Sequence, residues 1–407
     1  MYAVLKIMAT LAVVVFLLNR KVKMGNAMLA GSGVLLLLSG LQLSQLQAAV
    51  WETVATPSTW EIILALYFVM CLEYQLRCGG IIDGLMSAAR KVMRSDRILL
   101  ALMPAFLGFL PSLGGAIFSA PLVENAGKPY KLTGETKTAI NYWFRHVWEF
   151  TNPILASMLL ASQLAGIPLN TLILSMVWVT VLATLIGWLF FLTPLKGDSQ
   201  SEQSDSADAD TDTGYRYLIL AAGPILANFF LVVVMKLSAS LAMALVVAAM
   251  AFILRQNVSE NKAMLSHAFD RKLLWGIVAI LFFQNILRQT GAIEDIAALL
   301  NNLAVSNAVI IGAIAFAAGI LTGSSQGFIA LTFPFVAVLA PGDVALATLA
   351  FVVGVAGQML SPAHLCLLVT LDYFKADFLK TLRPIAFLEI IMVGAAWIAV
   401  KMPSLFM

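Results

Sequence analysis

The sequence predicts an all-α membrane protein made of two inverted repeats, each with five transmembrane helices and one re-entrant hairpin. Three observations carry that prediction. The 407-residue chain is 61% hydrophobic and 12% charged, about half the charge of a soluble domain. Two long apolar regions are interrupted near their middle by runs of small residues. Landmarks of the first half recur in the second at a nearly constant offset.

Runs approaching the roughly 20 apolar residues that cross a bilayer as helix place spans at 2–18, 27–43, 60–77, 139–163, 169–194, 216–235, 238–255, 273–288, 343–371 and 383–402. No small-residue cleavage site follows the first, so it is expected to remain as a transmembrane helix. The regions 97–126 and 306–340 break this pattern with LPSLGG (110–115) and LTGSSQG (321–327). As helix, Ile98 to Leu110 would rise only about 20 Å, short of the roughly 30 Å hydrocarbon core. Two half-helices entering and leaving on one side satisfy that length.

Between 196 and 215 the composition changes. GDSQSEQSDSADADTDTG has no apolar periodicity and many acids, including Asp198, Glu202, Asp205, Asp208, Asp210 and Asp212. It is expected to be a disordered linker joining a first repeat, 1–195, to a second, 216–407. The halves share LRCGGIID from Leu76 and LRQTGAIE from Leu287, offset by 211. Pro121 and Pro334 are offset by 213, and Pro153 and Pro362 by 209. Five crossings is an odd number, so the second repeat is inverted, as in many secondary transporters. Ten crossings put 21 of the 25 Lys and Arg residues on one side. By the positive-inside rule that side is cytoplasmic, with the linker there and both termini outside a bacterial-type inner membrane.

The net charge of +3 carries no nucleic-acid signature, and no such partner is expected. Cys71, Cys78 and Cys366 show neither a disulfide framework nor metal-ligand spacing. No Walker motif is present, so a primary pump would need a partner.

Residues with chemistry fall in three groups. At the hairpin tips, Ser112, Gly114 and Gly115 match Thr322, Gly323, Ser324, Ser325, Gln326 and Gly327. Each tip starts a half-helix whose free N–H groups favour an anion, and unwound carbonyls there suit Na⁺. Small residues also let helices pack closely. The second group lies beside prolines inside apolar spans: Thr151 and Asn152, then Ser361 and His364. Proline frees a carbonyl, and non-helical backbone at membrane depth sits in protein or beside a water-filled cavity. A plain kink is the alternative. The third group is Arg145, His146 and Glu149. Arg145 and Glu149 are spaced for an ion pair on one helix turn, and His146 or Glu149 is a candidate coupling group. Substrate contacts are thus assigned to Ser112, Gly114, Gly115, Asn152, Ser324, Ser325, Gln326, Ser361 and His364. Ion binding or coupling falls to Thr151, Thr322, Gly323, His146 and Glu149. Residues 323–327 also fit G-x-S-x-G, so a membrane-embedded serine hydrolase using Ser325 and His364 is an alternative of another class.

GFLPSLGGAIFSAPLVENAG, NYWFRHVWEFTNP and SPAHLCLLVT resemble a family of uncharacterised bacterial and archaeal integral membrane proteins. That family is distantly similar to gluconate permeases, within the ion transporter superfamily of secondary carriers. The resemblance implies a homodimer in which each protomer has a scaffold and a transport domain. Two hairpins and two broken helices would surround one midplane site carried by an elevator motion. The Ser-Asn-Thr tip motif of dicarboxylate carriers has no match at Ser112 or Thr322 to Ser325. The expectation is a secondary carrier of a small organic anion coupled to Na⁺ or H⁺. No cofactor is expected beyond Na⁺ as coupling ion. A Na⁺/H⁺ antiporter or an oxyanion carrier is the alternative within transport.

Overall fold

Polar residues punctuate the apolar chain where helices begin. Asp270 accepts from the Lys272 and Leu273 amides at 2.8 and 3.1 Å. Asp343 accepts from Leu346 at 2.9 Å and Asp377 from Lys380 at 2.8 Å. Each satisfies donors that a helix N-terminus leaves without an intrahelical partner. The computed structural model describes residues 2–40, 42–82, 84–85, 95–109, 115–196, 211–291 and 305–402, and no strand occurs among them.

The first half opens with α1 (Tyr2–Asn19), α2 (Met24–Leu38), α3 (Leu43–Ala55) and α4 (Pro57–Cys78). Two shorter helices follow, α5 (Asp96–Phe109) and α6 (Gly115–Gly127). Next come α7 (Gly134–His146), α8 (Ala156–Ala165), α9 (Leu169–Ser175) and α10 (Val177–Gly187), the last prolonged by a π-helical turn at Trp188–Leu192. The second half has α11 (Thr211–Phe229), α12 (Ala239–Ile253), α13 (Val258–His267) and α14 (Arg271–Gln289). It continues with α15 (Asn307–Thr322), α16 (Ser325–Leu339), α17 (Val344–Met359), α18 (Leu365–Phe374) and α19 (Phe378–Lys401).

Several expectations change in detail. The span drawn at 27–43 is α2 alone, ended by a turn in which Gly40 takes a φ of 78°. A further helix, α3, occupies what read as a loop. Its sequence LSQLQAAVWETVA is too polar to register as a span. α13 was also missed. Asn257 accepts from the Glu260 amide while Glu260 accepts from the Asn257 amide, at 2.9 and 2.8 Å. That is a reciprocal capping box at the helix N-terminus. α11 starts at Thr211, inside the segment expected as linker, and residues 197–210 lie outside the described residues. Among the described residues, four helical stretches are long and apolar enough to cross a membrane: Pro57–Cys78, Leu169–Leu192, Tyr215–Val234 and Phe378–Lys401. Shorter apolar helices of 10–17 residues include Ala156–Ala165, Asn307–Thr322, Ser325–Leu339 and Leu365–Phe374.

Both L-R-x-x-G-x-I motifs end a helix in the same way. Gly80 after α4 and Gly291 after α14 have φ of 67° and 62°. Packing is reciprocal as well. The pair α5–α6 lies on α7 and reaches α18, while the pair α15–α16 lies on α17 and reaches α8. A second group forms around α4 and α14: α4 packs on α12 and α13, and α14 on α2 and α3. Glu61 of α4 ties it to α12, accepting from the Ser240 amide at 2.8 Å and from the Ser240 hydroxyl.

Candidate functional site

Two helices end in irregular segments that lie against each other. After His146 the chain turns irregularly through Pro153 before α8 begins at Ala156. After Met359 it turns through Pro362 before α18 begins at Leu365. Proline cannot donate, and it crowds the carbonyl four residues back. Cross-ties hold the breaks together. Tyr142 donates its hydroxyl to the Met359 carbonyl at 3.1 Å. Asn141 donates to Thr370 Oγ1 at 3.3 Å.

The second hairpin tip enters this crossing. Gly323 joins α15 to α16 with a φ of 57°, a region costly for residues with a Cβ. A Cβ there would lie 2.8 Å from Ala363 C and 2.9 Å from His364 N, so the tip touches the second break. Ser361 Oγ donates to the Ile320 carbonyl at 2.6 Å and accepts from the Ala363 amide at 3.1 Å. Ser325 Oγ donates to the Glu149 carboxylate, and Gln358 Nε2 reaches both Glu149 oxygens at 3.4 and 3.3 Å. Glu149 is only 5% exposed.

Helix α5 meets the first break. Arg145 Nη1 donates to the Leu107 carbonyl at 3.2 Å, and Asn152 Nδ2 to the Phe109 carbonyl at 3.0 Å. A Cβ on Gly108 would fall 2.0 Å from the Arg145 carbonyl oxygen. Arg145 and Glu149, which an unbroken helix would stack one turn apart, instead turn to different hairpins. Between the breaks the imidazoles of His146 and His364 face each other, Nε2 to Nε2, at 3.2 Å.

Of the residues assigned from sequence, Ser325, Glu149, Gly323, Ser361, His364 and His146 therefore meet in one neighbourhood. Asn152 lies on the first-hairpin side of the break. Thr322 turns back on its own helix, donating to the Ala318 carbonyl at 2.7 Å. Thr151 is held by Thr180 of α10 at 3.0 Å, away from Glu149's partners. Ser324 and Gln326 are partly exposed beside Ser325. Gly115 opens α6, and Ser112 and Gly114 lie outside the described residues. The G-x-S-x-G serine follows the helix α15 rather than a strand, and its described side-chain partner is a carboxylate rather than an imidazole.

Sequence reading missed Gln358, Cys366 and Glu389. Glu389 is 4% exposed and lines a small cavity with His146, Trp143, Phe150 and Met392. Its Oε2 has no hydrogen-bond partner among the described residues. A lone acid inside the apolar run of 383–402 was itself a signal.

The N-termini of α8, α16 and α18 carry no side-chain cap. Their first amides are the donors an anion would find.

The family model described as "Protein of unknown function (DUF401)" matches residues 1–402. The chain belongs to this family. No curated protein matches the sequence. Among solved structures, the DUF401 chain is similar to the YdaH transporter of Alcanivorax borkumensis, whose crystal structure is described as revealing an unusual topology. The TM-score is 0.57 at 16% identity, over 87% of each chain. At that identity the likeness is one of fold. An all-helical fold shared with a transporter, and helices able to cross a bilayer, make this DUF401 member a multi-pass membrane protein.

Proposed function

We propose that this protein is a secondary active carrier of a small organic anion, coupled to H⁺ or Na⁺ at Glu149. The observation that carries the proposal is the meeting of the second hairpin tip with both helix breaks around one buried carboxylate. The uncapped starts of α16 and α18 supply donors for the anion. An anion 4 Å from an ionised carboxylate would be repelled by about 4 kcal/mol at an effective dielectric of ~20. Substrate therefore enters only when a cation neutralises Glu149, which makes coupling a property of the site.

The reciprocal packing and the matched glycines after α4 and α14 support two inverted repeats, each of five crossings and a re-entrant hairpin. In this reading α5–α6 and α15–α16 are those hairpins. They move with α7–α8 and α17–α18 as an elevator against a scaffold around α4 and α14. A homodimer, a relation to gluconate permeases and an inner-membrane location with both termini outside complete the proposal. A cation/proton antiporter is the second reading, favoured by the carboxylate itself.

Thermal unfolding of purified protein with carboxylates, sugar acids, sulfonates and oxyanions, each with and without Na⁺ and at two pH values, separates the two. The carrier requires a rise in melting temperature from an anion, and its loss in a Ser324→Ala/Ser325→Ala variant. A response to Na⁺ or pH with none to any anion favours the antiporter.

A further inference from the structure

The mutual approach of the two imidazoles has a second meaning. His146 Nδ1 lies 2.7 Å from the Tyr142 carbonyl oxygen. A carbonyl only accepts, so Nδ1 carries the proton and the neutral ring presents a bare Nε2. A ring nitrogen fixed by a backbone carbonyl, with its opposite lone pair free, is the usual preparation of a metal-ligating histidine. That lone pair points at His364 Nε2, 3.2 Å away. His364 is the less satisfied partner: it is 6% exposed, and its Nδ1 is buried without a hydrogen-bond partner. Without a metal, His364 Nε2–H donates to that lone pair; a metal there takes the place of the shared proton, which moves to Nδ1.

Cys366 lies two residues on, in the first turn of α18, as a free thiol. One ligand atom from each of His146, His364 and Cys366 falls within 4.8 Å of the others. Tetrahedral zinc with Zn–N of about 2.0–2.1 Å spaces two imidazole nitrogens by about 3.3 Å, close to the distance already present. The same geometry puts sulfur about 3.6 Å from each nitrogen, so the ligand atoms, now within 4.8 Å of one another, close by about 1.2 Å at most. Two imidazoles and a thiolate select borderline-soft transition metals over Mg²⁺ or Ca²⁺.

We propose that His146, His364 and Cys366 form a binding site for a divalent transition metal of the zinc class, with water as fourth ligand. The site shares the start of α18 with the proposed anion donors but uses neither the Glu149 carboxylate nor the hairpin hydroxyls, so metal binding is tested with no anion present and its failure leaves the anion-carrier proposal standing. Its ligands come from the end of α7 and the start of α18, and an ion there fastens one helix break to the other. Binding converts the Cys366 thiol to a metal thiolate and releases one proton to solvent per ion.

Cobalt titration of the full chain in detergent, after chelator treatment, tests this. The expected result is a near-ultraviolet sulfur-to-cobalt band saturating at about one ion per chain. Zn²⁺ displaces it, and it disappears in Cys366→Ser and in His364→Gln. Cys78→Ser, which alters an exposed thiol, keeps it. Zn²⁺ also raises the melting temperature of the wild type and not of Cys366→Ser. Absence of the band in folded wild type at saturating cobalt overturns the proposal, as does an undiminished band in Cys366→Ser. If Cys366→Ser does not fold, His146→Gln decides: lost binding supports the site, and wild-type binding overturns it.

Discussion

Glu149 shows how much one buried group constrains the site. Its described side-chain partners, the Ser325 hydroxyl and the Gln358 amide, are neutral. Burying a carboxylate with neutral partners costs several kcal/mol, so proteins keep one at such depth for binding or coupling. Glu149→Gln retains the shape and an oxygen acceptor while removing the charge. In that variant anion binding is expected to persist without dependence on Na⁺ or pH, and concentrative uptake to fall to background. Calorimetric titration with the stabilising anion at two pH values, with and without Na⁺, checks it. Dependence equal to wild type would place the coupling group elsewhere. Glu389 was open to the same logic from sequence, as a lone acid within an apolar run. Gln358 and Cys366 were not. Gln358 becomes a partner of Glu149 only when residues 209 apart meet, and His146 joins His364 across 218. No local spacing encodes such contacts.

At the level of elements, the helix breaks and the turn between α15 and α16 were legible because they depend on local chemistry. Pro153 and Pro362 remove donors, and Gly323 takes a left-handed φ, so each leaves a mark in the sequence. The polar helices α3 and α13 were not legible as spans, since α3 is held by packing on α14 and α13 by its capping box rather than by a continuous apolar run. Close packing makes a testable demand on the first hairpin. Gly108→Ala forces a methyl against the Arg145 carbonyl, 2.0 Å from the ideal Cβ position. The expected loss is about 1–3 kcal/mol, read as a lower melting temperature. Gly223→Ala in α11 is the control: nothing lies within 4 Å of its Cβ position, and alanine favours a helix over glycine by about 1 kcal/mol. Equal effects at both positions would contradict the contact between α5 and α7.

For the whole molecule, the central claim is that the neighbourhood of Ser325, Glu149 and Ser361 opens in turn to each side of the membrane. In the carrier reading, the reciprocal packing of α5–α6 on α7 and of α15–α16 on α17 would give the two openings related geometries. Ser325→Cys in a background with Cys71, Cys78 and Cys366 replaced by Ser puts one reporter thiol there. In sealed vesicles of known orientation, a membrane-impermeant maleimide is applied from one face and then, in a second preparation, from the other. Labelling from both faces, with protection on both by the stabilising anion and its coupling ion, is the predicted result. Labelling from one face only, under every combination of anion, Na⁺ and pH, would contradict alternating access.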